Sequence, residues 1–188
     1  MKKNVKGIYI FEIILFISVI MFNIFKIYYA YNIILILGAI FCYLRFGYAR
    51  DNSYEKTNII KIVIASVMAG AILIYSLGLF TGFFRITIDL NSILVSILSV
   101  LGIVAGEVIR YIIAKNSIKS KKPFIVFTIL FIILNIVTQI NGVALNDRWR
   151  IFVFVSTIVI PIIARDMMCS YLAYNCSSVP GIIYRLFT

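Results

Sequence analysis

The sequence contains no histidine, and its 188 residues include only seven acidic residues, three cysteines and three prolines. The absence of histidine excludes Ser-His triads, His-based metal sites and acid–base catalysis by imidazole. The cysteines form no Cys-x-x-Cys pair and no metal-ligand spacing, so we expect reduced thiols instead of a disulfide framework. We therefore predict no metal site and no bound cofactor.

Most residues of the chain are apolar. They make up 63% of the chain, against roughly half in soluble domains, and charged residues make up only 13%. Six apolar runs are long enough to cross a hydrocarbon core of roughly 30 Å as helices. We predict an all-α fold, a single-domain polytopic bundle of about six transmembrane helices with a short cytoplasmic tail over residues 173–188. The predicted helices are Gly7–Phe25, Ile27–Leu44, Ile62–Phe84, Leu90–Ala114, Phe124–Ile140 and Ile151–Leu172.

The positive charges are distributed unevenly between alternate loops. Cytoplasmic loops of membrane proteins are enriched in Lys and Arg. With the N-terminus inside, fourteen of the 18 Lys and Arg fall on the inner side, and the outer side holds Lys26, Arg85, Arg148 and Arg150. This bias predicts both termini in the cytoplasm and a multi-pass location in the cell membrane. Because the cations flank apolar runs instead of forming one patch, we predict the lipid bilayer, and no nucleic acid, as their partner.

Five ionisable residues interrupt the apolar runs. Such residues are costly in lipid and usually face the bundle interior or a water-filled cavity. On the predicted topology all five lie in the cytoplasmic leaflet, so we predict an intramembrane polar cluster. It is either a polar cavity for a substrate, an ion or a proton, or a structural salt-bridge cluster. Its predicted members are Glu12, Glu107, Arg110, Arg165 and Asp166.

The fourth apolar run combines two of these charges with small residues. Gly102-x-x-x-Gly106 is a spacing that lets helix backbones approach closely, and we predict that both glycines serve helix packing. Glu107 and Arg110 are three residues apart, which allows them to pair on one helix face. We expect this helix at the centre of the bundle, with Arg110 buried against the first or the sixth helix.

The C-terminal segment 164–187 has a character of its own. Its runs Tyr171–Tyr174 (Tyr-Leu-Ala-Tyr) and Pro180–Leu186 (Pro-Gly-Ile-Ile-Tyr-Arg-Leu) resemble a stretch that precedes the peptidase part in multi-spanning bacterial proteins of the signal peptidase I-like kind. The resemblance implies a membrane domain whose catalytic part would lie elsewhere. That family's nucleophilic serine usually occurs as Ser-Met, and this sequence has no Ser-Met dipeptide, so no catalytic residue is carried over.

Two functions of different classes follow. The first is a non-catalytic integral membrane module that anchors or positions a partner, either another membrane protein or a peptidase domain. The second is a small membrane transporter or lipid-binding protein with a polar cavity in the cytoplasmic leaflet. A water-accessible pocket at the intramembrane charges would favour the second function, whereas paired and sealed side chains would favour the first. The sequence has no Ser-Lys dyad and no metal motif, so we predict no catalysis by this chain alone.

Overall fold

The computed structural model describes residues 4–24, 30–48, 56–81, 89–118, 121–140 and 147–187. Every regular element in these ranges is a helix, so the all-α prediction is confirmed. A π-helical turn, Val155–Val159, joins α6 to α7. The predicted boundaries at Phe25, Ile27 and Phe84 lie outside the described residues. The helices are α1 (Asn4–Ile24), α2 (Ala30–Phe46), α3 (Lys56–Thr81), α4 (Leu90–Asn116), α5 (Lys121–Ile140), α6 (Arg148–Phe154), α7 (Ile160–Asn175) and α8 (Ser178–Phe187).

Four helical runs are long and apolar enough to cross a membrane by length and composition. They are Lys56–Ser76, Leu90–Asn116, Lys121–Ile140 and Arg148–Asn175. Helix α2 is apolar but shorter, at 17 residues. Large apolar side chains are exposed along the outside of the bundle. Monomeric soluble proteins rarely expose so much contiguous apolar surface, so the structure indicates a membrane protein.

Local sequence signals explain where several helices begin. The Asp89 carboxylate accepts a hydrogen bond from the Ser92 backbone N–H at 3.1 Å, which caps the N-terminus of α4. Pro123 lies in the first turn of α5, where a missing N–H costs nothing. Pro161 lies early in α7, and the π turn directly precedes it. Because Pro161 has no backbone N–H to continue the α-helical pattern, the helix widens just before it.

Helix α4 lies at the centre of the bundle, as expected, and packs against α1, α2, α5, α7 and α8. Its second half, from Gly102 onward, is largely buried, whereas its first half is largely exposed. The main core comes from four helices. Its buried members include Ile8, Phe11, Leu15 and Val19 of α1, Leu35 and Cys42 of α2, Ile109 and Ile112 of α4, and Phe127, Phe131 and Leu134 of α5.

The two glycines of the fourth apolar run both lie at helix contacts. A Cβ atom built at Gly102 would overlap the side chain of Asn32 on α2, at 2.8 Å from its Cγ atom. A Cβ atom at Gly106 would lie 3.1 Å from the Phe131 ring of α5. The absence of a side chain at these positions therefore allows α2 and α5 to approach α4.

Of the segment 173–188 that is predicted to be a tail, the described residues 173–187 are helical apart from a short turn and pack in the bundle. Helix α7 continues to Asn175, and after a two-residue turn α8 folds back along it. Helix α8 packs against α3, α4 and α7, with Pro180 and Gly181 buried. A ten-residue helix is too short to span a membrane and therefore gave no signal in a search for long apolar runs.

Candidate functional site: a buried charge network

The centre of the site is a charged triangle between α4 and α7. The Arg110 Nη2 atom lies 2.9 Å from Asp166 Oδ1, and its Nη1 atom lies 3.3 Å from Glu107 Oε1. The same Nη1 group also donates to the Asp166 backbone carbonyl at 3.3 Å. Arg110 is fully buried and reaches α7, which belongs to the sixth predicted transmembrane helix.

A second arginine enters this triangle from α8. The Arg185 Nη1 atom lies 3.1 Å from Glu107 Oε1 and 3.7 Å from Asp166 Oδ1. Its Nη2 group donates to the Asn135 Oδ1 atom of α5 at 3.2 Å. Arg185 therefore joins α8 to three other helices through charged or polar groups.

Asn135 connects the acidic and basic parts of the site. Its Nδ2 group donates to Asp166 Oδ2 at 2.6 Å, while its Oδ1 atom accepts from Arg185. The Tyr31 hydroxyl of α2 donates to the same Oδ1 atom at 3.1 Å. We define Glu107, Arg110, Asn135, Asp166 and Arg185 as the charge network.

An aromatic ring lies against both cations. The guanidinium carbon of Arg110 is 4.9 Å from the centroid of the Phe131 ring, and that of Arg185 is 5.2 Å away. At these distances the negative face of the ring attracts a cation. Phe131 is itself buried, so the interaction takes place away from solvent and reduces the repulsion cost of holding two guanidinium groups close together.

The charge network is neutral and sealed. It contains two carboxylates and two guanidinium groups, and their side chains are at most 8% exposed, the largest value being that of Arg185. Isolated buried charges are expensive, but paired charges with additional hydrogen bonds are tolerated. This arrangement favours conformational specificity over ligand access, because Glu107, Arg110 and Asp166 are fully buried.

Gly181 provides the space in which Glu107 sits. A Cβ atom built at position 181 would lie 2.9 Å from Glu107 Oε2, closer than real Cβ contacts. The Gly181 carbonyl also lies 3.9 Å from the Cys169 Sγ atom of α7, which is completely buried beneath α8. The contact between α8 and α4 thus depends on a residue without a side chain.

Three of the five predicted cluster residues, Glu107, Arg110 and Asp166, come together in the charge network. Glu12 does not join them. It lies on the buried face of α1 and is 2% exposed, and neither carboxylate oxygen has a hydrogen-bond partner in the part of the chain that the structure describes. Arg165 is also separate, because adjacent residues on a helix point about 100° apart and Asp166 faces the network.

Arg165 instead lines a polar cavity of about 390 Å³. The cavity lies between α5, the π turn with α7, and α8. Its other polar lining residues are Gln139 of α5, Thr157 of the π turn and Tyr184 of α8. The Arg165 Nε atom is buried and has no hydrogen-bond partner among the described residues.

A second cavity is apolar. It is a groove of about 530 Å³ between α1 and α2, lined by side chains such as Ile10, Ile14 and Leu37. Phe11 and Phe41 stack within it, with ring centroids 5.7 Å apart. Apart from Ser18 and Arg45 its lining carries no hydrophilic side chain, so the groove suits an acyl chain better than a polar solute.

Sequence reasoning missed two members of the network. Arg185 lies in the segment predicted to be a tail. That segment nevertheless has the pattern of a short amphipathic helix, with Pro180 in its first turn and apolar residues at Ile182, Ile183 and Leu186. Asn135 is a single amide in the middle of an otherwise apolar run, and polar residues in such positions often bond to another helix. Both signals were present in the sequence.

Among the described residues, no group of three or more His, Cys, Asp or Glu side chains is arranged to hold a metal ion. Comparisons with models of known protein families, with curated proteins and with solved structures found no match. The similarity of segment 164–187 to signal peptidase I-like proteins therefore stays a prediction from the residues that carry it.

Proposed function

We propose that this chain is a non-catalytic integral membrane module that anchors or positions a partner. The partner is another membrane protein or a peptidase domain of the signal peptidase I-like kind. In this proposal the chain crosses the cell membrane six times, with both termini in the cytoplasm. Helices α1 and α2 then form two crossings in addition to the four long apolar runs.

The observation that carries the proposal is the sealing of the charge network. A transport site must exchange its ligand with water, whereas Glu107, Arg110 and Asp166 are fully buried and paired with one another or with Arg185. Such a network resists movement of the helices that contribute to it. Its role is to hold α4, α5, α7 and α8 in one arrangement.

The segment with the family resemblance supports the same proposal. Its first run, Tyr171–Tyr174, lies in α7, and its second, Pro180–Leu186, forms most of α8. Leu172 and Ala173 are buried between the helices, and Arg185 enters the charge network. The residues of the resemblance are thus those that fix the α7–α8 hairpin, which a module needs if it is to present a partner in a defined position.

The proposed topology is tested by labelling Ile118→Cys and Asp147→Cys in a background without other cysteines. Both positions are exposed, and they lie at opposite ends of the long helices. In intact cells an impermeant maleimide should label position 147 and leave position 118 unlabelled until the cells are permeabilised. Labelling of position 118 in intact cells contradicts the orientation.

The anchoring role is tested with photo-crosslinking residues at two exposed positions, Ile118 and Trp149, on opposite ends of the bundle. We expect one protein of defined mass to be captured from the cytoplasmic end alone, and we expect purified chain in liposomes to leave a signal-peptide substrate uncut. Identical capture from both ends contradicts a defined partner site. Cleavage of the substrate by the purified chain contradicts the non-catalytic role.

The second candidate function is that of a small transporter or lipid-binding protein. The apolar groove between α1 and α2 and the polar cavity at Arg165 favour its lipid-binding form. Native mass spectrometry of protein extracted in mild detergent tests it directly. Retained phospholipid at a fixed ratio supports lipid binding, whereas lipid-free protein of unchanged stability argues against it.

A further inference from the structure

We propose that the cavity at Arg165 binds the phosphate of an anionic phospholipid headgroup. This inference gives the second candidate function a site and a ligand class, and it does not depend on the anchoring role. The cavity of about 390 Å³ lies within the range of small-ligand sites and has polar groups from three separate helical segments.

The charge of Arg165 is the first reason. The two arginines of the charge network, Arg110 and Arg185, each lie within 3.1 Å of a carboxylate. Arg165 forms no ion pair in the part of the chain that the structure describes, and its buried Nε atom has no hydrogen-bond partner. Asp166, its neighbour in sequence, already accepts from Arg110 and Asn135. A guanidinium group without a carboxylate partner is suited to bind an oxyanion through its parallel N–H donors.

The shape of the helix at the cavity is the second reason. The Ile160 backbone N–H donates to the Val155 carbonyl, five residues earlier, and Pro161 has no N–H to continue the α-helical pattern. The helix is therefore wider here and places Thr157 and Arg165 on the same cavity. Single π turns of this kind occur frequently at functional sites.

The hydrogen-bond capacities of the other polar groups define the rest of the ligand. The Thr157 hydroxyl donates to the Val153 carbonyl at 2.7 Å, so towards the cavity it offers only acceptor lone pairs. Gln139, another lining residue, provides both a donor and an acceptor. These groups complement a phosphate that carries a hydroxyl-bearing substituent.

The surroundings identify a lipid as the source of the phosphate. Gln139 is the next-to-last residue of α5, so the cavity lies beside the described end of that helix, whereas the run Arg148–Asn175 continues past it in both directions. Ile160 and Val155, beside the cavity, are exposed apolar residues on a helix that is long and apolar enough to span a membrane. A headgroup bound in the cavity would leave its acyl chains along that apolar surface.

The experiment measures retention of phosphatidylglycerol, an anionic lipid with a hydroxyl-bearing headgroup, by native mass spectrometry of purified protein. Phosphatidylcholine and inorganic phosphate serve as comparison ligands. The variants are Arg165→Gln, which removes the charge, Arg165→Lys, which keeps it, and Arg150→Gln, which removes an exposed cation from the same helical run. Loss of a charge-assisted hydrogen bond weakens binding by about tenfold or more.

We expect Arg165→Gln to bind phosphatidylglycerol about tenfold more weakly than the unmodified chain. Arg165→Lys keeps the charge but not the parallel donors and should bind with intermediate affinity, and Arg150→Gln should bind as well as the unmodified chain. If Arg165→Gln binds phosphatidylglycerol as tightly as the unmodified chain, the lipid binds elsewhere on the protein and the proposed site is wrong. An equal loss in Arg150→Gln shows a diffuse charge effect and also overturns it. Displacement of the lipid by inorganic phosphate, or equal dependence of phosphatidylcholine on Arg165, overturns the assignment to an anionic lipid. Thermal unfolding in lipid-free detergent verifies that all variants are folded.

Discussion

Replacement of Arg110 by Met is expected to destabilise the folded bundle more than any change at an exposed cation. The substitution leaves Asp166 without its 2.9 Å partner and Glu107 with Arg185 alone. Removing one partner of a buried ion pair costs about 3–5 kcal/mol, because the remaining charge is buried without compensation. For a chain of this size such a loss lowers Tm by roughly 10 °C.

The measurement is thermal unfolding of purified protein in a mild detergent, monitored by intrinsic fluorescence. Arg150→Met is the matched control, because Arg150 is exposed and does not belong to the charge network. We expect a change of at most about 1 kcal/mol for this control, in keeping with exposed charges.

Two double variants identify which carboxylate depends on Arg110. Arg110→Met with Asp166→Asn leaves the 3.1 Å pair between Glu107 and Arg185 intact, so much of the lost stability should return. Arg110→Met with Glu107→Gln leaves only the 3.7 Å pair between Asp166 and Arg185, so less should return. Equal Tm values for Arg110→Met and Arg150→Met would refute the buried network as a source of stability.

Three further predictions use other parts of the structure. In a chain whose only cysteine is Cys169, Arg185→Gln should release α8 and allow the thiol to react with a maleimide. The parent should stay unlabelled because Cys169 is completely buried, and equal labelling of the two proteins would contradict the docking of α8. Glu12→Gln should leave Tm unchanged or raise it, since no described group pairs with its carboxylate, and a fall of 3 °C or so in thermal unfolding would reveal a missed partner. Gly102→Ala should reduce the yield of monodisperse protein in size-exclusion chromatography because its Cβ overlaps a side chain on α2, whereas Gly70→Ala, with open space around it, should not; equal yields would refute a tight α2–α4 contact.

The long helices were predictable from the sequence because length and apolarity alone decide whether a segment suits the membrane. The predicted run Leu90–Ala114 agrees with α4 to within two residues at its end, and Phe124–Ile140 shares its last residue with α5. Helix α8 could not be recognised by the same criterion. Its position depends on contacts of Arg185 and Gly181 with residues far away in the sequence.

The candidate site was predictable in part for a similar reason. The i,i+3 spacing of Glu107 and Arg110 allows the pairing that the structure contains, because both residues belong to one helix. Glu12 and Arg165 are predicted in the same cluster only because all five residues are predicted at a similar depth in the membrane. Depth carries no information about the direction in which a side chain points around its helix, and that direction separates Arg165 from Asp166.

The position of α3 has a consequence for the order in which the protein assembles. Among the described helices, α8 is the one whose backbone approaches α3 closely, and Val63 and Val67 of α3 pack with Leu172 of α7 and Tyr184 of α8. A ribosome completes α4, α5, α6 and α7 before it reaches α8. During synthesis α3 therefore lacks its main packing partner while the rest of the bundle forms. Its run Lys56–Ser76 is apolar enough to remain in lipid meanwhile, so its full docking is expected late in folding.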